Sequence, residues 1–206
     1  MNKKLIEDVM AWAGEADEAD IMLSRRNCHL ELVDSIVVGR RPDGGLIRVF
    51  VAYPGSALEG NGERGEFAVG IHSHRYPIRL QGLRGTSRNL CFALCHDGEC
   101  DLGAYKFTTA IGQGPVLEPD GRRRARCVSD VLIEDIELPH DELHTIRVIP
   151  SYSPVCWLVS EGVQVTERTF LLTDKAMAEW SADGLYEPFK DRNDVINTLS
   201  EAIGAA

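Results

Sequence analysis

The chain has no run of eighteen consecutive apolar residues, so nothing in it reads as a membrane span. It also lacks an excess of positive charge: 22 Lys and Arg stand against 32 Asp and Glu, a formal charge of −10. A surface of that sign repels nucleic-acid phosphates and anionic lipid, so neither a nucleic acid nor a membrane is expected as a partner. There is no helix-turn-helix pattern, no internal repeat and no low-complexity tract. The opening MNKKLIEDVMAWAGEADEAD is basic for two residues and then acidic, without the apolar core or cleavage site of a secretory signal. A cytoplasmic protein is the expectation.

Cysteine is sparse, and no two cysteines make a C-x2-C pair. Without an export signal the six thiols are expected to be reduced. Three lie in CFALCHDGEC, Cys91 to Cys100, which has elements of a zinc site but not its knuckle spacing. The simpler expectation is small hydrophobes on paired strands, with HDGE turning a hairpin that brings Cys95 towards Cys100. The one basic cluster, GRRRAR from Gly121 to Arg126, is expected as a solvated loop.

What is present is an ordinary globular balance, 44% hydrophobic and 26% charged over 206 residues, with no linker to divide it. Residues 1–206 are read as a single domain. Leu5, Val9, Met10, Trp12 and Ala13 recur near helical spacing, predicting a helix over about 1–20. From about 28 to 173, short β-branched and apolar runs alternate with turn signals, the signature of an all-β sandwich or barrel. RRPDGGL supplies a tight hairpin turn through Pro42, Asp43, Gly44 and Gly45. Over about 174–206 the composition turns helical again in DKAMAEWSADGLYEPF and DRNDVINTLSEAIGAA. In the second of these Asp191 or Asn193 caps a helix with Val195, Ile196, Leu199 and Ile203 on its apolar face. The fold class is therefore mainly β with helical ends.

GIHSHRYPIRLQGLRG, Gly70 to Gly85, holds His72 and His74 two apart. On a strand, i and i+2 share a face, so the two imidazoles can converge on one divalent metal. Downstream, ELPHDELHTIRVIPSYSPVCWLVSEG (Glu137 to Gly162) puts a proline five residues before His144, which opens a β run. His140, four residues before His144, is the rival, but its place beside Pro139 suits a turn. His29 and His96 are expected on the surface.

These two stretches resemble the motifs of the cupin family, G-x5-H-x-H-x(3,4)-E-x6-G and G-x5-P-x-G-x2-H-x3-N. His72, His74 and the closing Gly85 match the first; Pro139 and His144 match the second, with Asp141 in the place of the inner glycine. The resemblance runs from Phe67 to Gly162. It implies a cupin-like double-stranded β-helix, a jelly-roll barrel, with metal ligands facing inward. The sequence departs from the motifs elsewhere too. Ile78 and Arg79 occupy the glutamate slot, Val148 occupies the asparagine slot, and Gly65 lies one residue too far out. The implied metal ligands are His72, His74 and His144 alone.

Three neutral imidazoles leave the full charge on a divalent ion and favour a small anionic substrate that chelates it. The resemblance implies an Fe(II) dioxygenase of the three-histidine type; Zn, Ni, Mn or Cu also suit imidazole. Strict alternation turns Tyr76, Ile78 and Leu80 inward, whereas a register break at Pro77 turns Arg79 and Gln81 inward instead, where a guanidinium would clamp a substrate carboxylate. Arg79, Gln81 and Tyr76 are the expected substrate-orienting residues. Tyr105, Tyr152 and Trp157 are candidates for the pocket wall, and Cys91, Cys95 and Cys156 for the barrel lining. A non-enzymatic binding module and a metal-dependent isomerase or lyase are the alternatives. The resemblance also implies a homodimer.

Overall fold

The computed structural model describes residues 3–63, 66–108, 116–174 and 184–204. Two helices open the chain, α1 (Lys3–Glu15) and the single turn α2 (Glu18–Ile21). The strands are β1 (Arg25–Arg26), β2 (Val33–Arg40), β3 (Leu46–Ala52), β4 (Ile71–His72), β5 (Ile78–Arg84), β6 (Ser87–Leu94), β7 (Cys100–Thr108), β8 (Val116–Leu132), β9 (Asp135–Leu138), β10 (Leu143–Val148), β11 (Val155–Glu161), β12 (Thr169–Thr173) and β13 (Glu187–Pro188). A last helix, α3 (Arg192–Ile203), closes the described chain. No helix among the described residues is long and apolar enough to cross a membrane.

All strand pairs are antiparallel. A seven-stranded sheet runs β13-β1-β2-β3-β11-β5-β9, and a second sheet runs β10-β4-β12-β7-β8-β6 and closes on itself through β6 and β10. The fold is mainly β, a cupin-like jelly roll with helical ends.

β11 shows why the first sheet does not alternate in polarity. Cys156 and Leu158 face α1 and α3, while Val155, Trp157 and Val159 face the space between the sheets. Both faces are covered, so both are apolar. α1 packs through Ile6, Val9 and Ala13, at the spacing that lines one helix stripe. In α3 the cap is Asp191, whose carboxylate accepts the Asp194 N–H at 2.9 Å, and Val195, Leu199 and Ile203 are buried as the pattern required. Gly204 ends the helix at φ 71°, a left-handed conformation that glycine adopts without strain. The RPDGG turn joins β2 to β3, with Arg41 N–H bonded to Gly45 O at 2.7 Å.

Several expectations are corrected. Gly121–Arg126 is not a loop but the middle of β8, where Arg122 pairs with Asp101 and Asp174, and Arg126 with Asp97. β6 and β7 do not form a hairpin: Leu94 and Cys100 both register with Ala125, so β8 lies between them. The apolar run FAVGIHSHRYPIRL is not one strand. It leaves the closed sheet after His72, crosses over Ser73–Pro77 and enters the other sheet as β5. The segment after Asp174 lies outside the described residues over 175–183, and its described end forms a turn and β13 rather than helix. Gly65 also lies outside the described residues.

Candidate metal centre

His72 and His144 are Cα partners on β4 and β10, so the ladder itself places them side by side. His74 lies just past the end of β4. Its backbone N–H is held by His140 O at 2.8 Å, and Ser73 is tied to Phe170 through both its backbone and its hydroxyl. This fixes the His74 ring over the other two, with ring centroids 5.1 Å from His72 and 4.9 Å from His144. One nitrogen from each of the three lies within 4.8 Å of the others. The sequence-predicted ligand residues are thus brought together, and His140 serves that arrangement through its carbonyl rather than its ring.

Two of the imidazoles are held from behind. His144 is 2% exposed, and its Nδ1 meets Asn89 Oδ1 at 2.6 Å. That oxygen only accepts, so Nδ1 carries the proton and Nε2 presents a lone pair. Asn89 is itself fully buried, with its amide nitrogen donating to Cys91 Sγ. The His72 ring donates to the Gly70 carbonyl. Burial pushes the His72 pKa down to about 4, and pushes His74 and His144 well below the ordinary histidine range. Three neutral nitrogen donors result. Metal–nitrogen bonds of about 2.1 Å place neighbouring ligands roughly 3 Å apart, and the Nε2 atoms of His74 and His144 are 2.7 Å apart. The donor set fits a divalent transition-metal ion, with no charged ligand to offset its charge.

The triad borders a cavity of about 640 Å3 between the sheets, continuous with a deeper recess of about 100 Å3. Phe50, Val69 and Val159 wall both; Trp157 lies in the recess. The polar wall includes Arg48 and Glu161, paired at 2.8 Å, with Arg25 and Arg75, and Tyr76, which stacks on His74 with centroids 6.0 Å apart. Burial, and then the Glu161 charge, pushes the Tyr76 phenol upward, so it stays protonated.

Tyr76 is therefore in the site, but Arg79 and Gln81 are not. β5 alternates with Ile78 and Leu80 buried, and Arg79 points outward, forked onto Asp135 at 2.7 and 2.6 Å, with Gln81 on the same carboxylate at 3.2 Å. Pro77 ends one segment, but β5 pairs in register with β9, which fixes the alternation. Arg48 is among the arginines that line the cavity instead. Tyr152 is wholly exposed, and Cys156 faces the helices. His29 is solvent-exposed, as expected, and it also lines the cavity and its recess. Asn89, Arg48 and Glu161 went unread because a single polar residue inside an apolar strand does not say which face it takes.

Fold and site together define a cupin-like jelly roll with a three-histidine cluster that could hold a metal ion. No known family model matches the chain, and no curated protein matches it. Solved structures to which it is similar include the following. A hydroxypropylphosphonic acid epoxidase from S. wedmorenis shares 10% identity over 66% of this chain and 53% of that one, TM-score 0.34. A hydroquinone 1,2-dioxygenase from Sphingomonas sp. TTNP3, with 4-hydroxybenzoate bound, shares 12% over 74% of each chain, TM-score 0.36. A cupin-like protein from Thermotoga maritima MSB8 shares 13% over 74% of this chain and 86% of that one, TM-score 0.31. The chain spans about half the length of the epoxidase. At these scores the likeness carries no argument about chemistry.

Proposed function

We propose that the protein is a mononuclear metal enzyme, an Fe(II) dioxygenase acting on a small anionic substrate, with His72, His74 and His144 as the metal ligands. The observation that carries this reading is the convergence of three neutral imidazoles, within 4.8 Å, on the wall of a cavity large enough for a substrate. A bound iron would supply Lewis acidity and electron transfer to O2, and three protein ligands leave positions open for substrate and oxygen. Arg48 supplies the cationic end of the cavity and orients an anionic group, and Tyr76 donates a hydrogen bond beside His74. Phe50, Val69 and Val159 exclude water from the reacting centre.

Ile78, buried where the family motif has its carboxylate, favours a second reading. The uncharged donor set also suits an isomerase or lyase that uses the metal only as a Lewis acid.

The test is metal analysis of untagged protein beside His72→Ala and His144→Ala. About one equivalent of iron, lost in both variants, supports the dioxygenase and leads to an oxygen-uptake screen with phenolic and enolic acids. Zinc or nickel with the same losses shifts the reading to the isomerase or lyase. A folded, metal-supplemented protein that binds no metal overturns both.

A further inference from the structure

Among the described residues, the non-glycine residues with positive φ are Asn27 (50°), His29 (70°), Leu32 (61°) and Tyr186 (57°). They meet in one place. Asn27 O accepts the Tyr186 N–H at 3.2 Å, Asn27 Nδ2 donates to Gly184 O at 3.0 Å, and Asn27 Oδ1 accepts the Leu32 N–H at 3.0 Å. Left-handed backbone is disfavoured for an L-residue, and it persists only where the surroundings over-determine it. Leu32 and Tyr186 have no short polar side chain to offset that cost. What this strained cluster achieves is visible in the cavity. It presents His29 to both chambers and sets the Tyr186 hydroxyl 2.6 Å from His29 Nδ1, with the rings edge to face.

The partner behind each imidazole separates two kinds of histidine. Asn89 Oδ1 behind His144 can only accept, which locks one tautomer and leaves a fixed lone pair, as a ligand needs. The Tyr186 hydroxyl can accept or donate, so it holds His29 in either tautomer and also when both ring nitrogens carry protons. His29 Nε2 has no hydrogen-bond partner among the described residues. A ring anchored at one nitrogen and open at the other has the geometry to move a proton, and desolvation by the surrounding protein, which pushes its pKa down to about 4, keeps it neutral and ready to accept one.

We propose that His29, oriented by Tyr186, accepts a proton from a hydroxyl of the ligand that the histidine triad engages. This rests on the metal-site reading above. The ligand O–H bond breaks, its electron pair stays on the ligand oxygen, and an N–H bond forms at His29 Nε2 while Nδ1–H remains bonded to Tyr186 Oη. The ligand class is thereby narrowed to phenols, enols or diols that must ionise on binding. His29 is the catalytic residue here, and Tyr186 is a positioning residue.

The experiment uses zinc-loaded protein, which is inert to O2, and 4-nitrocatechol, whose absorbance reports whether it is singly or doubly ionised. His29→Asn keeps a residue that tolerates left-handed backbone but cannot take the proton; Tyr186→Phe keeps the ring and deletes the hydroxyl. The wild type is expected to bind the probe doubly ionised at neutral pH. His29→Asn is expected to bind it singly ionised and about tenfold more weakly, the worth of one charge-assisted hydrogen bond, with Tyr186→Phe between the two. Zinc content and melting temperature should be unchanged in His29→Asn. Identical spectra and affinities in all three proteins, with zinc retained, would overturn the role of His29 and leave the metal site standing. Failure of the wild type to hold zinc would overturn the metal site and this proposal with it.

Discussion

The Nε2 atoms of His74 and His144 stand 2.7 Å apart although 70 residues separate them in the chain. Two devices bring them there: the β4–β10 ladder, which aligns His144 with His72, and the His140 carbonyl, which fixes the backbone of His74. With His144 Nδ1 protonated against Asn89, its Nε2 accepts and the His74 Nε2–H donates to it, with no carboxylate between them; a bound cation would take the place of that proton.

Asn89→Leu removes the acceptor behind His144 Nδ1 and frees the ring to turn. Zinc affinity is expected to fall about 10- to 100-fold, read by competition with a chromophoric chelator. Asn89→Asp keeps an acceptor at the same place and should retain most of the affinity. Equal affinities for wild type and the leucine variant would mean that Asn89 does not orient the ligand.

Metal removal should lower stability. A ligand present at a thousand times its Kd contributes about 4 kcal/mol, on the order of 10 °C in melting temperature for a chain of this size. His144→Ala should melt at the same temperature with metal and with chelator, and a metal-dependent shift in that variant would place the ion elsewhere.

Arg48 and Arg79 offer a paired comparison. Arg79→Ala breaks only an ion pair whose partners are 45% and 46% exposed, so it should change stability by less than about 1 kcal/mol and leave anion binding intact. Arg48→Met leaves Glu161, 8% exposed, without its counter-charge and should cost about 2 kcal/mol or more. Adding Glu161→Leu should restore stability but not anion affinity. Chemical denaturation gives the first quantity and calorimetric titration with benzoate the second.

Asp34 supplies a pH test. Burial raises its pKa above the usual carboxylate value even though it accepts from the Asn27 N–H and the Tyr53 hydroxyl. The folded protein therefore takes up this proton at a higher pH than the unfolded chain. Asp34 contributes most at acid pH, and the contribution is lost as pH rises through the folded pKa. The stability of wild type relative to Asp34→Asn should rise as pH falls towards the unfolded value of 3.8. A difference that is flat across that window would mean Asp34 is not desolvated.

Much of this protein could be read locally. The H-x-H pair, the strand-opening His144, the helix capped by Asp191 and the turn at RPDGG are each set by a few adjacent residues. β11 was legible as a strand, but its two apolar faces did not reveal which one met the helices. β8 was misread in part because four arginines between Gly121 and Cys127 look like a solvated loop until Asp97, Asp101 and Asp174 come to meet them. Arg79 was misassigned because Pro77 made the register ambiguous, and only pairing with β9 decides it.

The sequence by itself determined a mainly β chain with helical ends and three histidines at spacings that suit one metal, because side-chain periodicity and short motifs act over a few residues. Tertiary structure alone decided what surrounds them. Asn89 behind His144, Arg48 with Glu161 across the cavity, and His29 against Tyr186, 157 positions away, are contacts between strands and loops distant in sequence. Antiparallel pairing and register create those contacts, and a one-residue slip, invisible in composition, would exchange every inward side chain for an outward one.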